Sequence, residues 1–160
     1  MNQNQELELV NSLESVNNID DYSRRKYANR VLARTVAFQV IYQNDMNADS
    51  RQDLTDDFLA GELPNHEMLY KFATDLIDGV SKNLELIDSR LSQVSHNWSV
   101  ERMSPIERSI LRLAVYEIFY MDTPNPVVIN EAVELAKKFG NKNAPSFVNG
   151  VLDRIRKNES

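Results

Sequence analysis

Apolar residues recur along this chain at spacings of three and four, and nowhere do they alternate with polar ones long enough to build a strand. From about Ser23 to Gln43, Val31, Thr35, Phe38 and Tyr42 make one helical stripe, and Leu32, Val36 and Val40 make another. Lys26, Arg30 and Arg34 line up between them at i, i+4 and i+8, and the same line runs on through Ala37 and Ile41. Asn47 to Arg51 is a polar break, followed by a short helix that carries Leu54, Phe58 and Leu59 and ends at Gly61. Pro64-Asn65 opens a run in which Leu69, Phe72, Leu76, Val80, Ile87, Leu91 and Val94 keep helical spacing to about Ser95. That run reads as one helix of roughly 30 residues, with Gly79 and Asn83 as the places for a bend. Trp98 and Met103 fall at a corner, and three further helices are expected at about 105–121, 127–139 and 144–157. The pattern therefore predicts an all-α protein of six to seven helices. Their short connections suit two packed antiparallel sub-bundles, split inside or just after the long helix.

The ends of the last three helices are sharply marked. Ser104-Pro105-Ile106-Glu107 has the form of a capping box, in which Ser104 accepts from the Glu107 amide and Glu107 reaches back. Ile106, Ile110, Leu113 and Ala114 then mark a buried face. Asp122 to Pro126 ends that helix, and Gly140 is expected to leave the next one in a left-handed conformation. Gly150 falls inside the last helix, where close approach of a neighbouring backbone would explain it. Packing leaves a polar set unexplained around these junctions: Asn130, Glu131, Lys137, Lys138, Asn143 and Asn149.

Charge changes the picture more by its order than by its sum of −6. Residues 1–22 hold five acids and no base, whereas residues 23–40 hold five bases (Arg24, Arg25, Lys26, Arg30, Arg34) and no acid. With few apolar residues, segment 1–22 reads as an acidic, poorly ordered tail, at most a short frayed helix. Residues 23–160 then form a single helical domain. Bases at a helix start oppose the helix dipole, so they are either a solvated face or the seat of an anionic ligand such as phosphate. Because screening limits charges to about 8 Å at physiological salt, a basic stripe can bind a polyanion on an acidic protein.

Several chemistries are excluded. The chain has no cysteine, which removes disulfides, thiolate catalysis and cysteine-bound metals. His66 and His96 are the only histidines and sit in no ligand pattern. The four glycines form no phosphate-cradling loop, no serine lies in a nucleophile motif, and Asp53, Asp56 and Asp57 read as a solvated helix face. No enzyme activity, cofactor or metal is expected. No apolar run could span a membrane and MNQNQELELV lacks the layout of a signal peptide, so a cytoplasmic protein is expected.

The strings IERSILRLAVYEI, VVINEAVELAKKFG and FVNGVLD, in this order and spacing, resemble the NusB transcription antitermination family over roughly Arg24 to Arg156. The resemblance implies an N-terminal three-helix bundle against a C-terminal one. It also implies a function: binding boxA-type single-stranded RNA together with NusE, a small-subunit ribosomal protein, and keeping the RNA polymerase elongation complex processive on ribosomal RNA operons. Arg30, Ala33, Arg34, Gln39 and Tyr42 match the family's arginine-rich RNA motif. With Lys26 on the same stripe, phosphate contacts are expected from Lys26, Arg30 and Arg34. Phe139, Asn143 and Phe147 match positions that contact boxA, where aromatic faces can stack bases; core packing is the other use of the two phenylalanines. Some relatives carry Asp where this chain has Asn143. Tyr42 and Glu107 match positions that bear on NusE docking, beside their uses as a half-buried aromatic and a cap partner. Asn130, Glu131 and Asn149 read as structural. Two alternatives are a helical protein-interaction module without RNA binding, and a stand-alone relative of the RNA-targeting domain of an RNA methyltransferase. The retained basic stripe argues against the first, and the lack of a catalytic domain before Ser160 against the second.

Overall fold

The structure is a computed structural model that describes residues 2–47, 52–63, 67–95 and 99–158. All regular structure among these residues is helical: α1 (Gln3–Met46), α2 (Gln52–Glu62), α3 (Glu67–Lys82), α4 (Leu84–Val94), α5 (Pro105–Tyr120), α6 (Asn125–Phe139) and α7 (Ala144–Asn158), with one 3-10 turn at Val100–Arg102. His66, His96, Trp98, Pro64 and Asn65 lie outside the described residues. Residues 1–32 and 33–160 form separate compact units, the division falling inside α1.

The acidic segment is helical from Gln3 onward, as the first part of α1. Asn2 and Gln5 cap its start reciprocally: the Gln5 N–H donates to Asn2 Oδ1 at 3.0 Å and the Asn2 N–H to Gln5 Oε1 at 3.2 Å. No glycine or proline interrupts the 44 residues, and Glu, Gln and Leu are strong helix formers. This removes the dipole argument for a ligand at the basic stripe. Arg24 lies some twenty residues inside the helix, and the dipole acts only over the first turn.

In the unit 33–160, α5 is the central helix. It packs on α3, α4, α6 and α7, and α6 and α7 pack closely on each other. Ile110, Leu111, Leu113, Ala114, Val115 and Ile118 are all buried, as are Ser109, Arg112 and Glu117, so α5 is covered on every side rather than on one face. From α1 the core takes Ala33, Val36, Ala37, Phe38, Val40 and Ile41, whereas Leu32 is 43% exposed. The expected long helix breaks at Asn83, whose Nδ2 donates to the Gly79 carbonyl at 2.8 Å. The helical run thus becomes α3 and α4, both packed on α5.

Two glycines behave differently from their sequence reading. Gly140 is extended (φ −91°, ψ 177°), and a Cβ there would lie 2.5 Å from Ala144 Cβ and 2.9 Å from the Ala136 carbonyl. Crowding between α6 and α7, not a left-handed exit, requires glycine. A Cβ on Gly150 would meet nothing within 4 Å, so close approach does not explain that residue.

Candidate functional site

Ser104 begins α5 as its pattern suggests, its Oγ accepting from the Glu107 N–H at 3.2 Å. Only that half of the reciprocal box forms. Glu107 is half-buried one residue beyond Ile106, which lines a cavity of about 600 Å³. Phe38, Gln39, Tyr42 and Gln43 of α1, Thr55 and Phe58 of α2, and Phe139 at the end of α6 bound the same space. Its floor is an aromatic row: the Phe38 ring lies 6.3 Å from Tyr42 and 5.0 Å from Phe139, tilted by 35° and 42°. Tyr42, Phe139 and the neighbour of Glu107 are thereby brought to one place.

Asn143 and Phe147 stand across the Gly140 turn. Asn141 Oδ1 accepts from the N–H groups of Asn143 (3.0 Å) and Ala144 (3.1 Å), satisfying donors that the first turn of α7 leaves free. Asn143 is exposed, and Phe147 is half-buried with part of its ring against the core. Lys138 Nζ sits 5.3 Å from the centre of the Phe139 ring, adding a cation beside the aromatic surface. Asn130 and Asn149 are exposed, so they do not bind sub-bundles together from within; Glu131 is buried.

The three bases expected on one stripe do not share an environment. Lys26 is exposed and Arg30 half-buried, both in the 1–32 unit. Arg34 is buried, with only 3% of its surface exposed. Its Nη2 donates to Glu117 Oε1 at 2.6 Å, and its Nε lies 3.0 Å from each Glu117 oxygen. Thr123 Oγ1 donates to Oε1 of the same carboxylate at 2.9 Å, and the guanidinium lies 5.3 Å from the Phe72 ring centre. The expected surface role of Arg34 conflicts with this geometry. The signal lay in the sequence line itself, because Ala37 and Ile41 continue it into the core.

A second charged cluster went unread. Asp45 accepts from Arg108 at 2.6 Å and Arg112 at 2.9 Å, and Arg112 also donates to Asp88 at 2.8 Å. Burial pushes the Asp45 carboxyl up, but the two arginines bonded to it hold it below the ordinary value. Asp56 and Asp57 are exposed, and no group of three or more metal-binding side chains forms among the described residues. No helix is long and apolar enough to cross a membrane among those residues.

These features define a helical binding protein, with an aromatic-floored cavity and an exposed polar turn, in which the most strongly paired charges are structural. The NusB family model matches residues 31–157, and the chain belongs to that family. It is 42% identical over 130 residues to the transcription antitermination protein NusB of Geotalea daltonii, covering 76% of this chain and 90% of that one. The protein of the same name from Pseudothermotoga lettingae is 42% identical over 125 residues, covering 78% and 88%. Among solved structures, T. maritima NusB superposes with a TM-score of 0.71 at 36% identity, covering 80% of this chain and 90% of that one. A structure of antitermination factors NusB and NusE in complex with dsRNA gives 0.74 at 31% identity, covering 82% and 98%. The named relatives belong to a non-enzymatic class.

Proposed function

We propose that this chain is a transcription antitermination factor that binds boxA-type single-stranded RNA together with NusE. In the cytoplasm, the pair would join the RNA polymerase elongation complex and support transcription of ribosomal RNA operons. The observation that carries this reading is the likeness, over 82% of the chain, to a NusB seen with NusE and RNA. Local chemistry supports it. Phe139 and Phe147 flank a turn that carries the exposed Asn143, with Lys138 alongside, and half-buried aromatic faces beside a cation suit unstacked bases. Lys26 and Arg30 supply phosphate contacts from the basic segment. The Tyr42 end of the cavity takes NusE, because Tyr42 and Ile106 with the rim of Gln39, Gln43 and Asn44 match a protein surface better than a polyanion, and the Phe139 end is left to the RNA. RNA binding belongs to the domain 23–160, with the acidic segment 1–22 outside it.

Fluorescence anisotropy with a boxA oligonucleotide and a scrambled one, each with and without NusE, tests the reading. Tighter binding of boxA, strengthened by NusE, is expected. Two phosphate contacts give a log–log salt slope of about −1.4 for single-stranded RNA. Equal affinity for both oligonucleotides with NusE present sinks the proposal.

A further inference from the structure

We infer that Arg34 is a positioning residue for RNA recognition and not a phosphate ligand: through Glu117 and Thr123 it sets the face of α1 on which Phe38 backs the Phe139 ring. The inference rests on the RNA-binding reading above and concerns how that site is held in shape.

Geometry leaves Arg34 little freedom to act otherwise. Its side chain is 4% exposed and that of Glu117 is 2% exposed. Nε and Nη2 are both spent on the carboxylate, and the guanidinium carbon lies over the Phe72 ring, 5.3 Å from its centre. Swinging out to a phosphate would break every one of those bonds and leave a buried carboxylate with Thr123 as its remaining partner. Stranding a buried charge costs more than one solvated phosphate contact returns.

The same bonds make Arg34 a clamp. Glu117 belongs to α5, and Thr123 to the short connection that leads into α6. One carboxylate therefore ties α1, α5 and the entry to α6 together. One turn beyond Arg34, Phe38 is 2% exposed and meets Phe139, the residue that ends α6. Side chains at i and i+4 share a helix face, so a shift of α1 at Arg34 carries Phe38 with it. The support behind the Phe139 ring would move too. Stacking needs a ring held at a fixed place, and this arrangement supplies it.

The test uses the full chain with NusE and a boxA-type RNA oligonucleotide, read by anisotropy across a series of salt concentrations well below each variant's melting temperature. Glu117→Gln and Thr123→Val remove no cation, and the first removes an acid. Each should nonetheless weaken binding, by about fivefold, the lower end of what one base–aromatic stack is worth, with the salt slope unchanged. Arg34→Lys keeps the charge but loses the fork, and should fall with them. Lys26→Ala is the control for a phosphate contact and should flatten the slope by about 0.7. In a Phe139→Ala background, Glu117→Gln should cost nothing more, because the effect runs through that ring. Three results overturn the proposal. One is wild-type affinity in both Glu117→Gln and Thr123→Val. The second is wild-type affinity in Arg34→Lys together with a flattened slope in Arg34→Met. The third is a loss that adds fully to that of Phe139→Ala. Thr123→Val, the mildest change, keeps the test open if the others fail to fold. A wild-type protein without boxA preference overturns the functional reading, and this proposal with it; wild-type preference with silent variants overturns this proposal alone.

Discussion

Two charged clusters tie α1 to α5, and they are built on opposite terms. The inner one pairs a single arginine with a single glutamate, Arg34 with Glu117, at side-chain exposures of 4% and 2%. The outer one chains Asp45, Arg108, Arg112 and Asp88 at exposures of 10–29%, and Arg108 also donates to the carbonyls of Val100, Glu101 and Met103. In the inner cluster the attraction between the charges is offset by the cost of taking both out of water, so the pair adds geometry more than stability. In the outer cluster each charge keeps some water, and Asp45, Arg108 and Arg112 each have more than one partner, while Asp88 is held by Arg112. Loss of Asp45 is then shared, and the contribution is net but modest. Proximity of opposite charges alone thus says little; the number of partners and the remaining water decide what each cluster does.

The sharpest way to break this comparison is to remove half of the inner pair. Glu117→Ala or Arg34→Ala alone should cost about 3–5 kcal/mol in urea unfolding, because the remaining charge stays buried without its partner. The joint replacement Arg34→Met with Glu117→Leu should recover most of that loss, since apolar side chains of similar size owe no desolvation. Single variants that cost under about 1 kcal/mol would show the pair to be wet, and the distinction between the clusters would collapse.

The outer cluster should respond less to the same surgery. Asp45→Ala leaves Arg112 with Asp88 and Arg108 with three carbonyls, so the expected loss is about 2 kcal/mol. A loss as large as that of Glu117→Ala would mean that the remaining partners do not compensate.

Most of the fold was legible because α5, α6 and α7 obey local rules. The Ser104-Pro105 start, the Pro126 entry and the Gly140 exit punctuate the chain within a few residues of where the helices begin and end. Less legible was whatever depends on distant residues. Arg34 and Glu117 are 83 residues apart, so the pattern around Arg34 could mark it as lying on a line leading to the core but could not name its partner. Glu117 itself gave a signal that went unused. It falls seven residues after Ile110 and three after Ala114, on a helix where both are buried, and an acid there calls for a cation. Gly140 teaches the same lesson in another form. Helix ends commonly place glycine left-handed, yet here tertiary crowding from Ala144 selects it. In the acidic segment low hydrophobicity and helix propensity point in different directions, and the reciprocal cap and unbroken run favour helix.

The smallest effect expected is the acid response of the outer cluster. Burial raises the Asp45 carboxyl, but bonds from Arg108 and Arg112 outweigh it and hold the folded-state value below the unfolded 3.8. Where folding lowers a pKa, the unfolded chain binds the proton more readily, so stability rises with pH between the two values. The contribution of Asp45 is therefore fully present above 3.8 and is lost as pH falls through the lower, folded value. Asp45→Asn keeps the shape of the side chain and removes the titration. The stability gap between wild type and Asp45→Asn should stay constant from about pH 7 to 5 and shrink by up to about 1 kcal/mol in stronger acid, a size typical of a partly solvated pair. High salt should narrow the same gap at neutral pH, since 1 M ionic strength screens charges beyond about 3 Å, while the penalty of Glu117→Ala stays as it was. A gap that holds unchanged to the onset of acid unfolding would mean that Asp45 contributes through shape and hydrogen bonding alone, and that the outer cluster is no more ionic in its effect than the inner one.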